Sequence, residues 1–200
     1  MRQKLTRLFF TRPSLIAAQD LLGCRLVRKV GKKLLIGKIV EVEAYPGPYD
    51  RASHAFNYKK TARNAAEYLK GGYVYIYLVY GMYWQLNIAT GKKGYPECVL
   101  IRALEPIKMK SVKIKMKNDN VKFKNLADGP GKLCRWLKLD KSFYGEDITT
   151  SKRIWIEMRN EHISRRAIAC GPRIGIDYAG PIWARKPWRF FIKGSPFVSK

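Results

Sequence analysis

The stretch "IVEVEAYPGPYDRASHA", Ile39 to Ala55, carries four side chains suited to acid–base chemistry. Glu41, Glu43 and Tyr45 occupy alternate positions, and His54 follows nine residues after Tyr45. On a β-strand, alternate residues share a face, so both carboxyls and the phenol point one way. The strand rise sets the carboxylates about 6.5–7 Å apart. An inverting glycosidase uses a carboxylate pair at about 6.5–9.5 Å. That chemistry is excluded here, because such a pair must flank the scissile bond from opposite sides. Two groups on one strand face approach from the same side. The spacing fits one acting carboxylate and a second paired with lysine or arginine. Two surface glutamates in salt bridges fit this segment equally well. "PGPYD" is turn chemistry, and a turn there can bring His54 back to Tyr45, placing carboxylate, phenol and imidazole around one pocket.

The elements that must position these groups are readable in outline. "LLIGKIVEVEAY" is a strand that sends Val40, Val42 and Ala44 into the core, and Gly31-Lys32-Lys33 turns it back on the strand "CRLVRKV". A loop runs to about Asn64, and "ARNAAEYL" is helix-like up to Gly71-Gly72. "YVYIYLVYGMYWQLNIA" is dense in β-formers. Tyr73, Tyr75 and Tyr77 share one face of it, and Val74, Ile76 and Leu78 the other. Tyr80 falls on the apolar parity just before Gly81, whose backbone freedom permits a turn with Tyr80 at its tip. An exposed tyrosine there is suited to wedging into a base stack; the alternative is packing onto a neighbouring element. "CVLIRAL" is a further strand, and "TRPSLIAAQDLLG" a short helix between Ser14 and Gly23. "DGPGKLCRWLKL" reads as a loop opening a helix. "RIWIEM", "RIGIDYAG" and "WRFFIKGSP" are β-like. The lysine-rich stretch 108–124 is ambiguous between helix and strand. Strands dominate, with helices interspersed, which gives a mixed α/β (α+β) fold.

Charge narrows the function classes. The 200 residues hold 40 Lys+Arg against 15 Asp+Glu, a net charge of +25. Such a surface seeks a polyanion: nucleic acid first, an anionic membrane second. With 46% apolar and 12% aromatic residues, this is a folded domain and not a disordered basic tail. Cysteines 24, 98, 134 and 170 form no C-x-x-C pair, and only His54 and His162 could join them, so a zinc site is not expected. Buried free thiols in a reducing compartment are expected instead. The N-terminus is basic and acid-poor up to Asp20, a faint likeness to an organelle transit peptide. It lacks a secretory apolar core, and no apolar run reaches membrane-spanning length. The expected location is intracellular, in cytoplasm or nucleoid, or in the nucleus of a eukaryote.

The motifs "FFTRP", "LLGCRLVR", "GKIVEVEAYPGPYDRASHA", "TARN", "YVYIYLVYGMYWQLNI", "CVLIRALEP", "DGPGKLC" and "RIGIDYAGPIWARKPWRFFIKGSPFVS" stand in one order along nearly the whole chain. In this the chain resembles the alkyladenine (3-methyladenine) DNA glycosylases of base-excision repair. The resemblance draws "FFTRP", and with it the basic N-terminus, into the domain. It implies a single domain over 1–200, a curved, mainly antiparallel sheet with surrounding helices and a protruding β-hairpin, acting as a monomer on double-stranded DNA that contains damaged purines. It implies that Glu43 activates water, that Tyr45 and His54 pack on one side of a flipped base, and that Tyr77 packs on the other. It further implies that Tyr80 fills the gap left in the duplex, that Asn87 disfavours guanine through its 2-amino group, and that Arg102 lies by the pocket. Thr61, Arg63, Asn64, Lys132 and Arg185 are implied phosphate contacts. No metal or organic cofactor is implied. Two other readings remain at this point. One is a glycosylase-lyase with Lys132 as nucleophile; the other is a nucleic-acid-binding protein without catalysis.

Overall fold

The computed structural model describes residues 3–107 and 125–199; the lysine-rich stretch 108–124 lies outside them. Among the described residues there are eight strands and four α-helices. In chain order these are α1 (Arg7–Phe10), α2 (Ser14–Leu21), β1 (Arg25–Val30), β2 (Lys33–Tyr45), β3 (Val74–Val79), β4 (Tyr83–Ala89), β5 (Cys98–Pro106), α3 (Pro130–Leu137), β6 (Ile154–Glu157), β7 (Ile168–Gly171), α4 (Pro181–Ala184) and β8 (Arg189–Ile192). None of these helices is long and apolar enough to cross a membrane.

All pairings are antiparallel, in the order β3-β4-β5-β2-β1-β6, with β8 bridging β2 and β7. The 13-residue β2 is the hub. One edge pairs with β5 from Gly37 to Tyr45. The other edge changes partner midway, from β1 over Lys33–Lys38 to β8 over Glu41–Glu43. The two glutamates therefore lie in the sheet interior, not at its rim. Val42 and Ala44 point the opposite way, into the main apolar cluster with Ile76, Leu86, Ile88 and Ile101. The helices α2 and α3 cover that face, α3 through Leu133, Cys134 and Leu137. Pro130 starts α3, where a missing N–H costs nothing.

Three readings need correction. "ARNAAEYL" is no α-helix but a single 3-10 turn, Ala65–Tyr68, begun after Asn64. "RIGIDYAG" is not a strand: only a 3-10 turn at Asp177–Ala179 is regular. The Ile174 N–H bonds a carboxylate of β2 and no neighbouring strand, and Gly175 takes a left-handed φ of 76°. Of the four thiols, Cys24, Cys98 and Cys134 are buried, but Cys170 is exposed on the short strand β7, which the sequence did not suggest.

Candidate active site

A single cross-strand row builds the site. Tyr75 on β3 lies opposite Asn87 on β4, Asn87 opposite Leu100 on β5, and Leu100 opposite Glu43 on β2. Directly opposed residues share a face, so residues far apart in sequence converge. The register on β5 shifts between Glu41 and Val42, and Arg102 is the extra residue there. Its guanidinium reaches both acids: Nε lies 3.3 Å from Glu41 Oε1 and Nη1 3.1 Å from Glu43 Oε1.

The two glutamates are both fully buried, which removes the surface salt-bridge reading. Glu41 also accepts from Arg189 at 2.9 Å, from the Ser199 amide at 2.7 Å and from the Ser199 hydroxyl at 2.8 Å. It anchors the C-terminal segment, with three donors on Oε1 and the Ser199 amide on Oε2, and none of these partners lines the aromatic recess. Glu43 differs. Its Oε1 takes the Ile174 N–H at 2.8 Å beside Arg102, whereas Oε2 accepts only the Tyr45 hydroxyl, at 3.0 Å. A carboxylate oxygen accepts about two hydrogen bonds, so Oε2 retains a lone pair. Burial pushes the Glu43 carboxyl above its ordinary range, against the opposing pull of Arg102, the Ile174 amide, Tyr45 and Arg173.

Beside Tyr45 is a recess closed at the bottom by Glu67, Tyr75, Asn87 and Cys98, with His54, Tyr77 and Tyr178 around it. His54 and Tyr178 are exposed at its mouth. At about 30 Å³ it is far smaller than a groove of about 600 Å³ beside Arg25, Lys38 and Glu105, so size does not pick it out. The collected ionisable and aromatic groups do. His54 Nδ1 lies 2.6 Å from the Tyr75 hydroxyl, and its ring meets Tyr77 edge-on, centroids 4.7 Å apart. Although one side of the residue is open, desolvation of the ring against Tyr75 and Tyr77, and the nearby Arg63, lower its pKa.

Long-range contacts that the sequence did not signal fix these groups. Arg173 is buried in a bidentate pair with Asp50, its Nη2 2.8 Å from Oδ1, and stacks over the Tyr45 ring at 4.6 Å. Asp50 in turn receives the Ala52 N–H at 3.0 Å. The segment 173–180 thus supplies a guanidinium, an amide and, through Tyr178, a wall of the recess.

The other predicted residues separate into groups. Tyr80 tips the β3–β4 hairpin, 86% exposed, with a left-handed φ of 52° followed by Gly81 at 68°. Arg63 is exposed, bonds the Leu78 carbonyl at 3.1 Å and lies over Tyr77, tying the loop to the hairpin. Thr61 and Arg185 are exposed. Lys132 is exposed near the start of α3, with Nζ 2.9 Å from Asp128 Oδ1. Asn64 is a correction: it is buried and closes its own loop. Its Oδ1 accepts from the Thr61 amide and hydroxyl, and its Nδ2 donates to the His54 and Lys59 carbonyls. No atom of that amide is left for a phosphate; its task is to hold His54.

Fold, charge and site together are those of a basic α+β protein with a buried carboxylate beside an aromatic recess. Comparison with known proteins gives the family. The sequence model of the methylpurine-DNA glycosylase family matches residues 8–196. A Methanocella arvoryzae protein provisionally named 3-methyladenine DNA glycosylase is 43% identical over 196 residues, 98% of this chain and 96% of its own length. The DNA-3-methyladenine glycosylase of Homo sapiens is 39% identical over 207 residues, 98% of this chain and 68% of its own. The chain belongs to the methylpurine-DNA glycosylase family. It is a DNA-repair glycosylase, a hydrolase of N-glycosyl bonds.

Proposed function

We propose that this protein excises alkylated or deaminated purines from duplex DNA, with Glu43 activating the water that replaces the base at C1′. That carbon is inaccessible to water within a stacked duplex, so the nucleotide must be extruded. Tyr80 at the hairpin tip fills the vacated space. The extruded base stacks between Tyr45 with His54 and Tyr77. Stacked bases lie about 3.4 Å apart, so a base between two rings needs them about 7 Å apart. The 4.7 Å contact of His54 with Tyr77 must open to admit a base, and a shift of the His54 ring breaks its hydrogen bond to Tyr75. Electron-poor or cationic purines favour the π faces by about 0.5–2 kcal/mol per ring. Asn87, buried in the floor, meets the purine edge where guanine carries its 2-amino group.

The carrying observation is the placement of Glu43: Oε1 is held by Arg102 and an amide, while Oε2, with a spare lone pair, bonds Tyr45 of the recess wall. As base, Oε2 takes a proton from water while its charge supports the electron-poor sugar. A positioned general base contributes about 10²–10⁴-fold. A protein that only bound nucleic acid has no use for a buried carboxylate held in this way. Nor does the site favour a lyase. Among the described residues no lysine lines the recess, and Lys132 is paired with Asp128. The test is release of free base from methylated duplex DNA with and without protein, followed by borohydride treatment. Base release without a covalent adduct is expected. A trapped adduct contradicts the water mechanism, and no release above background contradicts catalysis.

A further inference from the structure

Glu67 stands out among the buried acids. Glu41, Glu43 and Asp50 all face an arginine. Glu67, 2% exposed in the 3-10 turn after Asn64, has no cation partner among the described residues. Its Oε1 receives the Cys98 thiol at 3.2 Å, the Asn64 side chain also pulls on the carboxyl, and its Oε2 is buried with no hydrogen-bond partner among the described residues. Buried polar atoms without partners are rare in native proteins, and this one belongs to a wall of the recess that receives the base. A carboxyl so placed is stable as the neutral acid, with an O–H that has no acceptor until a ligand brings one.

We propose that Glu67 is the acid of this site: it rests protonated, hydrogen-bonds a ring nitrogen of an extruded uncharged purine, and transfers that proton as the base leaves. The proposal rests on Glu43 being the water-activating base. A cationic alkylpurine needs no such help, because the C1′–N electron pair neutralises it on departure. An uncharged purine such as hypoxanthine would leave as an anion. With Glu67, the electron pair of the breaking C1′–N bond passes to the base, and the Oε2 proton goes to a ring nitrogen. Water oxygen bonds C1′ and its proton goes to Glu43. The products are neutral base, abasic sugar, ionised Glu67 and protonated Glu43. Solvent returns the proton from one carboxyl to the other, so no further reactant is consumed.

The surroundings leave Glu67 alone in its range. Burial raises its pKa to about 7, against the pull of the Cys98 and Asn64 contacts. Burial also raises the thiol of Cys98 and the phenols of Tyr45, Tyr75, Tyr77 and Tyr178 above their ordinary values. His54 is depressed. The charged groups around the recess are the Glu43–Arg102 and Asp50–Arg173 pairs beside Tyr45, Arg63 over Tyr77, and Glu97, which with Asp50 acts on Cys98. Among the described residues, the other titratable groups lining the recess are shifted away from neutrality, the phenols and the thiol upward and His54 downward, and a group near neutrality is the best acid catalyst.

The test is single-turnover excision of hypoxanthine and of 7-methylguanine from otherwise identical duplexes. Glu67→Gln keeps the shape and a donor but has no proton to release. It is expected to slow hypoxanthine excision by about 10²–10⁴-fold more than 7-methylguanine excision. Equal losses on both bases, or an unchanged hypoxanthine rate, overturn the proposal. The wild-type protein supplies a second measurement that needs no variant. Its hypoxanthine rate is expected to fall as pH rises above about 7, with no such limb for 7-methylguanine; a shared limb, or none on either base, overturns the proposal. If Glu43→Gln excises both bases normally, it is the water-activation reading that fails, and the two failures are distinct.

Discussion

Glu43 is acted on by two opposed effects. Loss of water around the carboxylate favours its neutral form; Arg102 first, then the Ile174 amide, Tyr45 and Arg173, favour the charge. Burial prevails, so the carboxyl titrates above the ordinary glutamate value of about 4.3. A base must be ionised to act. The kcat/KM for 7-methylguanine should therefore decline as pH falls through this raised value, giving an acid limb above that of an exposed carboxylate. Arg102→Met removes the largest opposing influence and should move the limb to still higher pH. A limb that stays in place would show that Arg102 does not tune Glu43. The same substitution strands two buried acids and should cost about 3–5 kcal/mol of stability in denaturant unfolding. Glu41 then makes a poor control for Glu43, because its buried carboxylate holds Arg102, Arg189 and Ser199 together. Glu41→Gln should lower the Tm.

At the scale of elements, the proposed insertion of Tyr80 into DNA would account for a stability cost in the β3–β4 hairpin. A tyrosine at positive φ is strained by about 1–3 kcal/mol, and Tyr80 at 86% exposure recovers little by packing. Tyr80→Asn accepts the left-handed backbone. It should hold or raise the Tm while slowing excision from duplex DNA about tenfold, the order expected from losing about 1–3 kcal/mol of stacking. A lower Tm with unchanged excision would make Tyr80 a folding residue instead. This element was legible in sequence because its signals are local: alternating parity, then an aromatic before Gly81. The parity of β2 was legible for the same reason from Glu41 to Tyr45 but not before it: Ile39, and not Val40, joins the main apolar cluster, because the register with β5 shifts between Ile39 and Glu41. The segment 173–180 was misread because its apolar alternation matched a strand, while its N–H partner, Glu43, lies 131 residues away. Arg173–Asp50 spans 123 residues, and Glu67 meets Cys98 across 31, so neither left a local pattern. Asn64 went the other way: an amide in a loop fits a phosphate contact or a loop brace alike until its partners are seen.

Over the whole molecule, the net charge of +25 sets how DNA is held. Phosphate neutralisation releases counterions, so affinity for damaged and undamaged duplex alike should fall steeply with salt. Lys132→Ala and Arg185→Ala should each weaken both equally and reduce the slope of log K against log salt by about 1. A loss confined to damaged DNA would place these residues at the base instead. In the proposed function, charge brings the duplex to the surface, the hairpin opens it, the recess receives what is extruded, and Glu43 activates the water that displaces the base. That last step is tested most directly by single-turnover excision of 7-methylguanine by Glu43→Gln, with duplex binding measured on the same preparation. Binding close to wild type with excision reduced by about 10²-fold or more is the expected result. Excision at the wild-type rate would contradict Glu43 as the base.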